Sequence, residues 1–319
     1  MGIKVIASSM YLPERLVDNT YYEKKFNKPT GWVEQRTGII TRHKSEKDTL
    51  VSDLASKSVL PLLSEIESPI EFLICTTSTP DSLLPSTANR IAQMLNLNNV
   101  FCFDLMSGCA GFLQALVVAN SLLESGLYRR GMIVAAEKMS LIIDEDDPVC
   151  DPIFGDASAA IIVEYHPEKN VFGIYMGNEC TGVDFLHIKP THQLDLALQQ
   201  EAKNKVYMDG QQVFKNAVRF MAASAKQALD QAKMPISDID FIIPHQANMR
   251  IITAVAEMLD IELDKVLVTI NHLGNVVNAS IPITLNINKS KLRNKQLLIT
   301  AFGAGFNYGA LIIKDLFME

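Results

Sequence analysis

Phe103-Asp104-Leu105-Met106-Ser107-Gly108-Cys109-Ala110-Gly111-Phe112 carries a strand into a helix. Small residues permit a sharp turn, and the apolar run that follows has helical spacing. Cys109 falls at or near the helix N-terminus, where unsatisfied N–H groups and the helix dipole favour an anion. The placement predicts a depressed thiol pKa and a nucleophile at neutral pH. The flanks, Ser107-Gly108 and Ala110-Gly111, keep bulk away from the sulfur. Most cysteines are simply small buried hydrophobes, and Cys75 and Cys102, inside strands, are read that way.

Outward from this turn, short apolar segments alternate with helical ones, the pattern of an α/β protein with buried strands. Strands are expected over Ile3–Ala7, Ile70–Thr76, Val100–Asp104, Gly131–Ala136, Ala159–Val163, Phe172–Met176, Asp240–Ile243, Lys265–Val268, Gln296–Ala301 and Ala310–Ile313. Helices are expected over Leu50–Ser64, Ser86–Leu95, Cys109–Ser125, Gln211–Ala232, Gln246–Leu259 and Ala279–Lys289. In the longest, Phe214, Val218, Met221, Ala225 and Leu229 share one face.

The order repeats. Phe72–Cys75 leads to Ser86–Ile91 as Phe241–Ile243 leads to His245–Ile251, and a strand, a Gly-containing loop, a helix and a buried strand follow in both. This points to an internal duplication, with halves 1–168 and 169–319. Asn178–Val206 lacks periodicity and reads as a loop-rich insertion.

Composition bounds the function. A chain of 319 residues with 48% hydrophobic and 20% charged residues can bury a sizeable core and excludes a disordered or collagen-like protein. A net charge of −7 disfavours nucleic-acid wrapping. Five cysteines, odd in number and without a Cys-x-x-Cys pair, suit neither a disulfide framework nor a zinc site. No apolar run approaches the ~18 residues of a membrane span. The N-terminus reads as a first strand, without a signal or myristoylation pattern, and the expected location is cytoplasmic.

A cysteine nucleophile needs partners in space. His43, His166, His187 and His192 have polar neighbours and are expected at the surface. His245 and Asn275 each follow a strand at a turn, the sheet edge where α/β proteins gather ligands, so both can converge on Cys109. Ala301–Gly309, with three glycines, can present a backbone N–H to an oxyanion beside that of Cys109.

In these motifs the sequence resembles the β-ketoacyl-acyl-carrier-protein synthase III group of the thiolase-like condensing enzymes. The matching stretches are Trp32 with Arg36-Thr37-Gly38-Ile39, Ser107–Phe112, Phe154-Gly155-Asp156, Pro244-His245-Gln246-Ala247-Asn248, Gly274-Asn275 with Ser280-Ile281-Pro282, and Phe302–Phe306. They cover nearly the whole chain, in order. The resemblance implies two α/β halves in a five-layer α-β-α-β-α fold, usually a homodimer. It implies Cys109 as acyl-accepting nucleophile, with His245 and Asn275 stabilising the enolate formed as malonyl-acyl-carrier protein loses carbon dioxide. The N–H groups of Cys109 and Ala304 would hold the oxyanion. Trp32, Arg36, Asn248 and Leu84 fall at substrate-binding positions. No metal or prosthetic group is implied, since the thioester substrates carry coenzyme A or phosphopantetheine. An acidic carrier protein requires a local basic patch, for which Lys215, Arg219 and Arg250 are the candidates.

Two positions depart from the family. Where relatives that load from coenzyme A carry an arginine upstream of Phe-Gly-Asp, this chain reads Asp144-Glu145-Asp146-Asp147-Pro148-Val149-Cys150. Leu84, before Pro85, stands where the residue lining the partner subunit's acyl pocket is often aromatic. The rival readings are a specialised acyltransferase or condensing enzyme of a secondary-metabolite pathway, and an inactive synthase subunit, which would commonly lack the cysteine.

Overall fold

Two mixed sheets form, one from each half of the chain. The computed structural model describes residues 2–64, 68–188 and 205–317. The first half runs β1 (Gly2–Tyr11), β2 (Arg15–Asp18), α1 (Asn19–Lys25), α2 (Trp32–Thr37), β3 (Thr41–Lys44), α3 (Val51–Leu63), β4 (Phe72–Thr76), α4 (Thr87–Met94), β5 (Phe101–Leu105), α5 (Gly111–Glu124), β6 (Arg130–Lys138) and β7 (Asp156–His166). The second runs β8 (Val171–Asn178), β9 (Leu186–Ile188), β10 (Val206–Met208), α6 (Gly210–Ala232), β11 (Phe241–Pro244), α7 (Met249–Met258), α8 (Ile270–Leu273), α9 (Ser280–Asn288), β12 (Gln296–Gly303) and β13 (Asn307–Lys314).

The first sheet has the order β1-β7-β6-β4-β5 and the second β11-β12-β13-β8. Read from the opposite edge, β8-β13-β12-β11 repeats β1-β7-β6-β4, with the same parallel and antiparallel pairings. The fifth place is only sketched. Val266 forms a single parallel bridge to Ile242 where a strand over Lys265–Val268 was expected. A short 3-10 turn at Leu263–Lys265 precedes it and α8 starts at Ile270, so the chain is extended for too few residues to build a ladder.

Side-chain alternation on the strands divides the cores. Ile133 of β6 faces inward with Ile161, Ile299 and Ile313 into one core with Leu116 of α5 and Ile283 of α9. Val134, one residue on, faces outward with Leu73 against Val59 of α3 and Ile91 of α4. Met221 of α6 and Val255 of α7 cover the outer face of the second sheet. The five layers α-β-α-β-α follow.

The helix expected from Gln246 begins at Met249 instead. Gln246 is spent as a staple: its amide donates to Pro244 O and Leu267 O and accepts from Thr269 N–H. Asn248 caps the helix, its Oδ1 accepting from Arg250 N–H at 2.8 Å. In the expected loop-rich insertion, β9 and β10 pair antiparallel; the rest of that stretch and His192 lie outside the described residues. Histidines expected at the surface also move inward. His166 is buried, with Nδ1 3.0 Å from Glu168 O, and His43 is half-buried, with Nδ1 2.6 Å from Pro13 O. Among the described residues no helix is long and apolar enough to cross a membrane.

Candidate active site

The strand-to-helix turns of both halves open onto a cavity of about 660 Å³ lined by Cys109, His245 and Asn275. Cys109 sits in a 3-10 turn, Gly108–Ala110, directly before α5. The loop Gly303–Ala304 lies against it. A Cβ on Gly303 would stand 2.5 Å from Cys109 N, and one on Gly108 (φ +50°) 2.9 Å from Ala304 N. Glycine at both positions is what brings these two backbone segments together at the cavity wall.

His245 is 2% exposed. Its Nδ1 lies 2.8 Å from Ser280 Oγ, which also accepts from Gln246 N–H at 3.4 Å. When the Ser280 hydroxyl proton is given to Nδ1, the ring proton lies on Nε2, the tautomer that can donate into the cavity. Nε2 itself is buried without a partner among the described residues. Burial pulls the imidazole pKa down to about 3, so the ring is a neutral donor.

Asn275 is held on three sides. Its N–H donates to Ile153 O at 2.9 Å, its C=O accepts from Gly155 N–H at 3.1 Å, and its Oδ1 accepts from Val277 N–H at 2.9 Å. The Nδ2 amide is the side-chain group for which no hydrogen bond is made among the described residues. Two neutral N–H donors therefore face a space beside a thiol, which suits charge developing on a thioester oxygen.

The thiol is not activated as expected. Burial first, and the Glu137 carboxylate second, push Cys109 up to about 12, against a smaller lowering by a backbone hydrogen bond. The α5 N-terminus already has a partner. Asn278 Oδ1 accepts from Phe112 N–H at 3.2 Å, while its Nδ2 donates to Glu137. A buried anion thus offsets the helix field that was expected to serve sulfur.

The substrate-position residues divide. Trp32 and Arg36 line the cavity mouth, with the Arg36 guanidinium 5.0 Å above the indole and Lys28 Nζ at 5.4 Å. Pro148 and Val149, which directly follow the acidic run Asp144–Asp147, line the same cavity. Asn248 lines it too, but its amide is committed to capping α7 and to Arg36 O at 3.2 Å. Leu84 is 87% exposed and is not part of this chain's cavity wall. Arg250 lines the mouth and donates to Gln35 O, whereas Lys215 and Arg219 are exposed on α6 outside it. His187, expected at the surface, also lines the cavity.

Sequence reasoning missed Glu137, Asn278 and the role of Ser280. Ser280 lay inside a motif already singled out. Glu137 and Asn278 are 141 residues apart, and no local pattern pairs them. It also missed the apolar wall beside the thiol, where Met139, Ile142, Ile153, Phe154, Met208 and Val277 pack around Cys109.

Fold and cavity place the molecule among the thiolase-like condensing enzymes. Residues 103–180 match the family model described as 3-oxoacyl-[acyl-carrier-protein (ACP)] synthase III, and residues 229–315 match the model of its C-terminal part. The chain is 32% identical over 321 residues to the β-ketoacyl-[acyl-carrier-protein] synthase III of Clostridium acetobutylicum, with 98% of each chain covered. To that of Campylobacter curvus it is 36% identical over 324 residues, covering 97% of this chain and 96% of the relative. The crystal structure of the Thermus thermophilus enzyme superposes with a TM-score of 0.90 at 34% identity, covering 98% of each chain. The chain belongs to the β-ketoacyl-[acyl-carrier-protein] synthase III family and is an acyltransferase.

Proposed function

We propose that the enzyme condenses an acyl primer with malonyl-acyl-carrier protein to give 3-oxoacyl-acyl-carrier protein in fatty-acid biosynthesis, by way of acyl-Cys109. The observation that carries the site assignment is the meeting of one thiol with two neutral N–H donors, His245 and Asn275, on one cavity. Cys109 sulfur attacks the primer thioester carbonyl while the N–H groups of Cys109 and Ala304 hold the oxyanion. The primer's thiol carrier leaves with the proton. Malonyl-carrier thioester then loses carbon dioxide, and His245 Nε2–H and Asn275 Nδ2–H hold the enolate oxygen. The carbanion attacks acyl-Cys109, forming the carbon–carbon bond and releasing the cysteine thiolate. Side chains and backbone N–H groups suffice for these steps, and no cofactor is assigned.

The finer reading has several parts. The primer favoured is one carried by acyl carrier protein, because Pro148 and Val149, which directly follow four acidic residues, line the same cavity as Trp32, a poor setting for an anionic nucleotide. Lys215, Arg219 and Arg250 form the basic patch for that carrier. The chain acts as a homodimer through β5, an edge strand of the first sheet on which Phe101 is 48% exposed, with Met106, just past it, at 64%. The halves divide at 168/169, and the location is the cytoplasm.

Intact-mass analysis with acyl-CoA and acyl-carrier-protein thioesters, paired with carbon dioxide release from malonyl-carrier protein, tests the function. Acylation lost in Cys109→Ala, with decarboxylation lost in His245→Ala and Asn275→Ala, is expected. Acylation of another residue, or acyl transfer without decarboxylation, would overturn it.

A further inference from the structure

Arg42, on β3, is fully buried, and among the described residues it forms no ion pair. Its guanidinium donates to Val17 O at 3.2 Å, Asn19 Oδ1 at 2.9 Å and Pro152 O at 2.6 Å, and lies 4.7 Å above the Tyr22 ring. Burial brings its pKa down to about 10. The carboxylate that acts on Arg42 most, Asp151, is itself ion-paired with Lys25 and Lys44, and a buried cation without an ion pair of its own is costly, so the position calls for an explanation.

What Arg42 touches is the seat of Asn275. Pro152 O, held by the guanidinium, begins the segment whose Ile153 O and Gly155 N–H pin the Asn275 backbone on both edges. Phe154 bridges Asn275 in parallel as a one-residue strand pair. The Arg42 side chain also fills the space beside two glycines that flank this seat. A Cβ on Gly155 would stand 3.3 Å from Arg42 Cβ, and one on Gly274 (φ +66°) 3.1 Å from it. Neighbours of Arg42 hold the same loop, since Thr41 Oγ1 donates to His272 O and Ile40 N–H to Asn271 O. Cys109 and His245 have no hydrogen bond to this cluster; His245 is held by Ser280 instead.

We propose that Arg42 is a positioning residue for Asn275, fixing Pro152–Gly155 and Gly274 so that the Nδ2 amide reaches the substrate oxygen in the decarboxylation half-reaction. The inference rests on Asn275 being that donor, and Asn275→Ala is therefore measured alongside. The full chain is assayed as Arg42→Met, Arg42→Lys and Asn19→Ala, the last removing one guanidinium partner outside the cavity. Acyl-Cys109 formation is followed by intact mass, and carbon dioxide release gives kcat and KM for malonyl-carrier protein.

Acylation is expected to stay within about threefold of the parent, and KM likewise, while kcat for condensation falls about tenfold or more in Arg42→Met. Arg42→Lys and Asn19→Ala should fall between. If Arg42→Met does not fold, Arg42→Lys and Asn19→Ala carry the test. Condensation at the parental kcat in the folded variants, or equal loss of both half-reactions, overturns the proposal while Asn275→Ala remains inactive. Parental activity in Asn275→Ala would instead remove the site reading beneath it.

Discussion

Asn278 Nδ2 lies 2.5 Å from Glu137 Oε1, and the same side chain's Oδ1 takes the N–H of Phe112 in the first turn of α5. One amide from the second half thereby ties a buried carboxylate of the first half to the helix that follows Cys109. Glu137 also accepts from Ser78 N–H and the Thr79 hydroxyl. Even so, burial outweighs these bonds and raises its pKa from 4.5 to about 7.

Between pH 4.5 and about 7 the folded protein keeps a proton on Glu137 that the unfolded chain has lost. This contribution to stability is complete below 4.5, declines as pH rises through about 7, and is on the order of 3 kcal/mol. Glu137→Gln cannot titrate, so its Tm should fall less than the parent's over that interval. The same variant removes a charge that raises the Cys109 thiol, so iodoacetamide should alkylate Cys109 faster at a given pH near 8. Parallel Tm–pH curves and an unchanged alkylation profile would contradict this account.

A Ser280 hydroxyl donating across its 2.8 Å contact to His245 Nδ1 holds the ring proton on Nε2. Ser280→Ala frees the other tautomer, which presents a lone pair to the enolate. Carbon dioxide release should slow about tenfold, the worth of one well-placed hydrogen bond, with acyl-Cys109 formation unchanged. With its pKa near 3, His245 adds no titration step to the decarboxylation rate between pH 5 and 9. A step near pH 6.5 would show that the ring is solvated during turnover.

Phe101, on the edge strand β5, and Leu84, in the loop before α4, test the proposed dimer and its acyl pocket. Phe101→Asp should convert a dimer to monomers in analytical ultracentrifugation, because a charge on an apolar edge opposes pairing. Leu84→Phe should leave the dimer intact and shorten the acyl chain accepted in intact-mass assays. A monomeric parent, or an unchanged chain-length profile, would remove these assignments.

Reversing the charge of Lys215, Arg219 or Arg250 to Glu should raise KM for carrier-protein substrates by about tenfold at low salt, less as salt is added. kcat, and activity with a small carrier-free thioester, should hold. Equal losses with both substrates would place the effect in the fold and not in docking.

The local pattern of residues was enough to locate nine of the ten expected strands, all six expected helices and the turn that carries Cys109, because apolar periodicity reports which face of each element is buried. The repeated order of elements also gave the doubling and the sheet edge where His245 and Asn275 would gather. Other features depend on contacts between residues far apart in the chain. The thiol's rise in pKa came from burial by side chains of both halves and from Glu137, where helix position alone predicted a fall. Arg42 looks like an ordinary surface arginine until Pro152 and Asn19 are folded around it. Periodicity encodes burial along a single element, whereas the dielectric around a titrating group and the partners of a buried charge are set by every element packed against it.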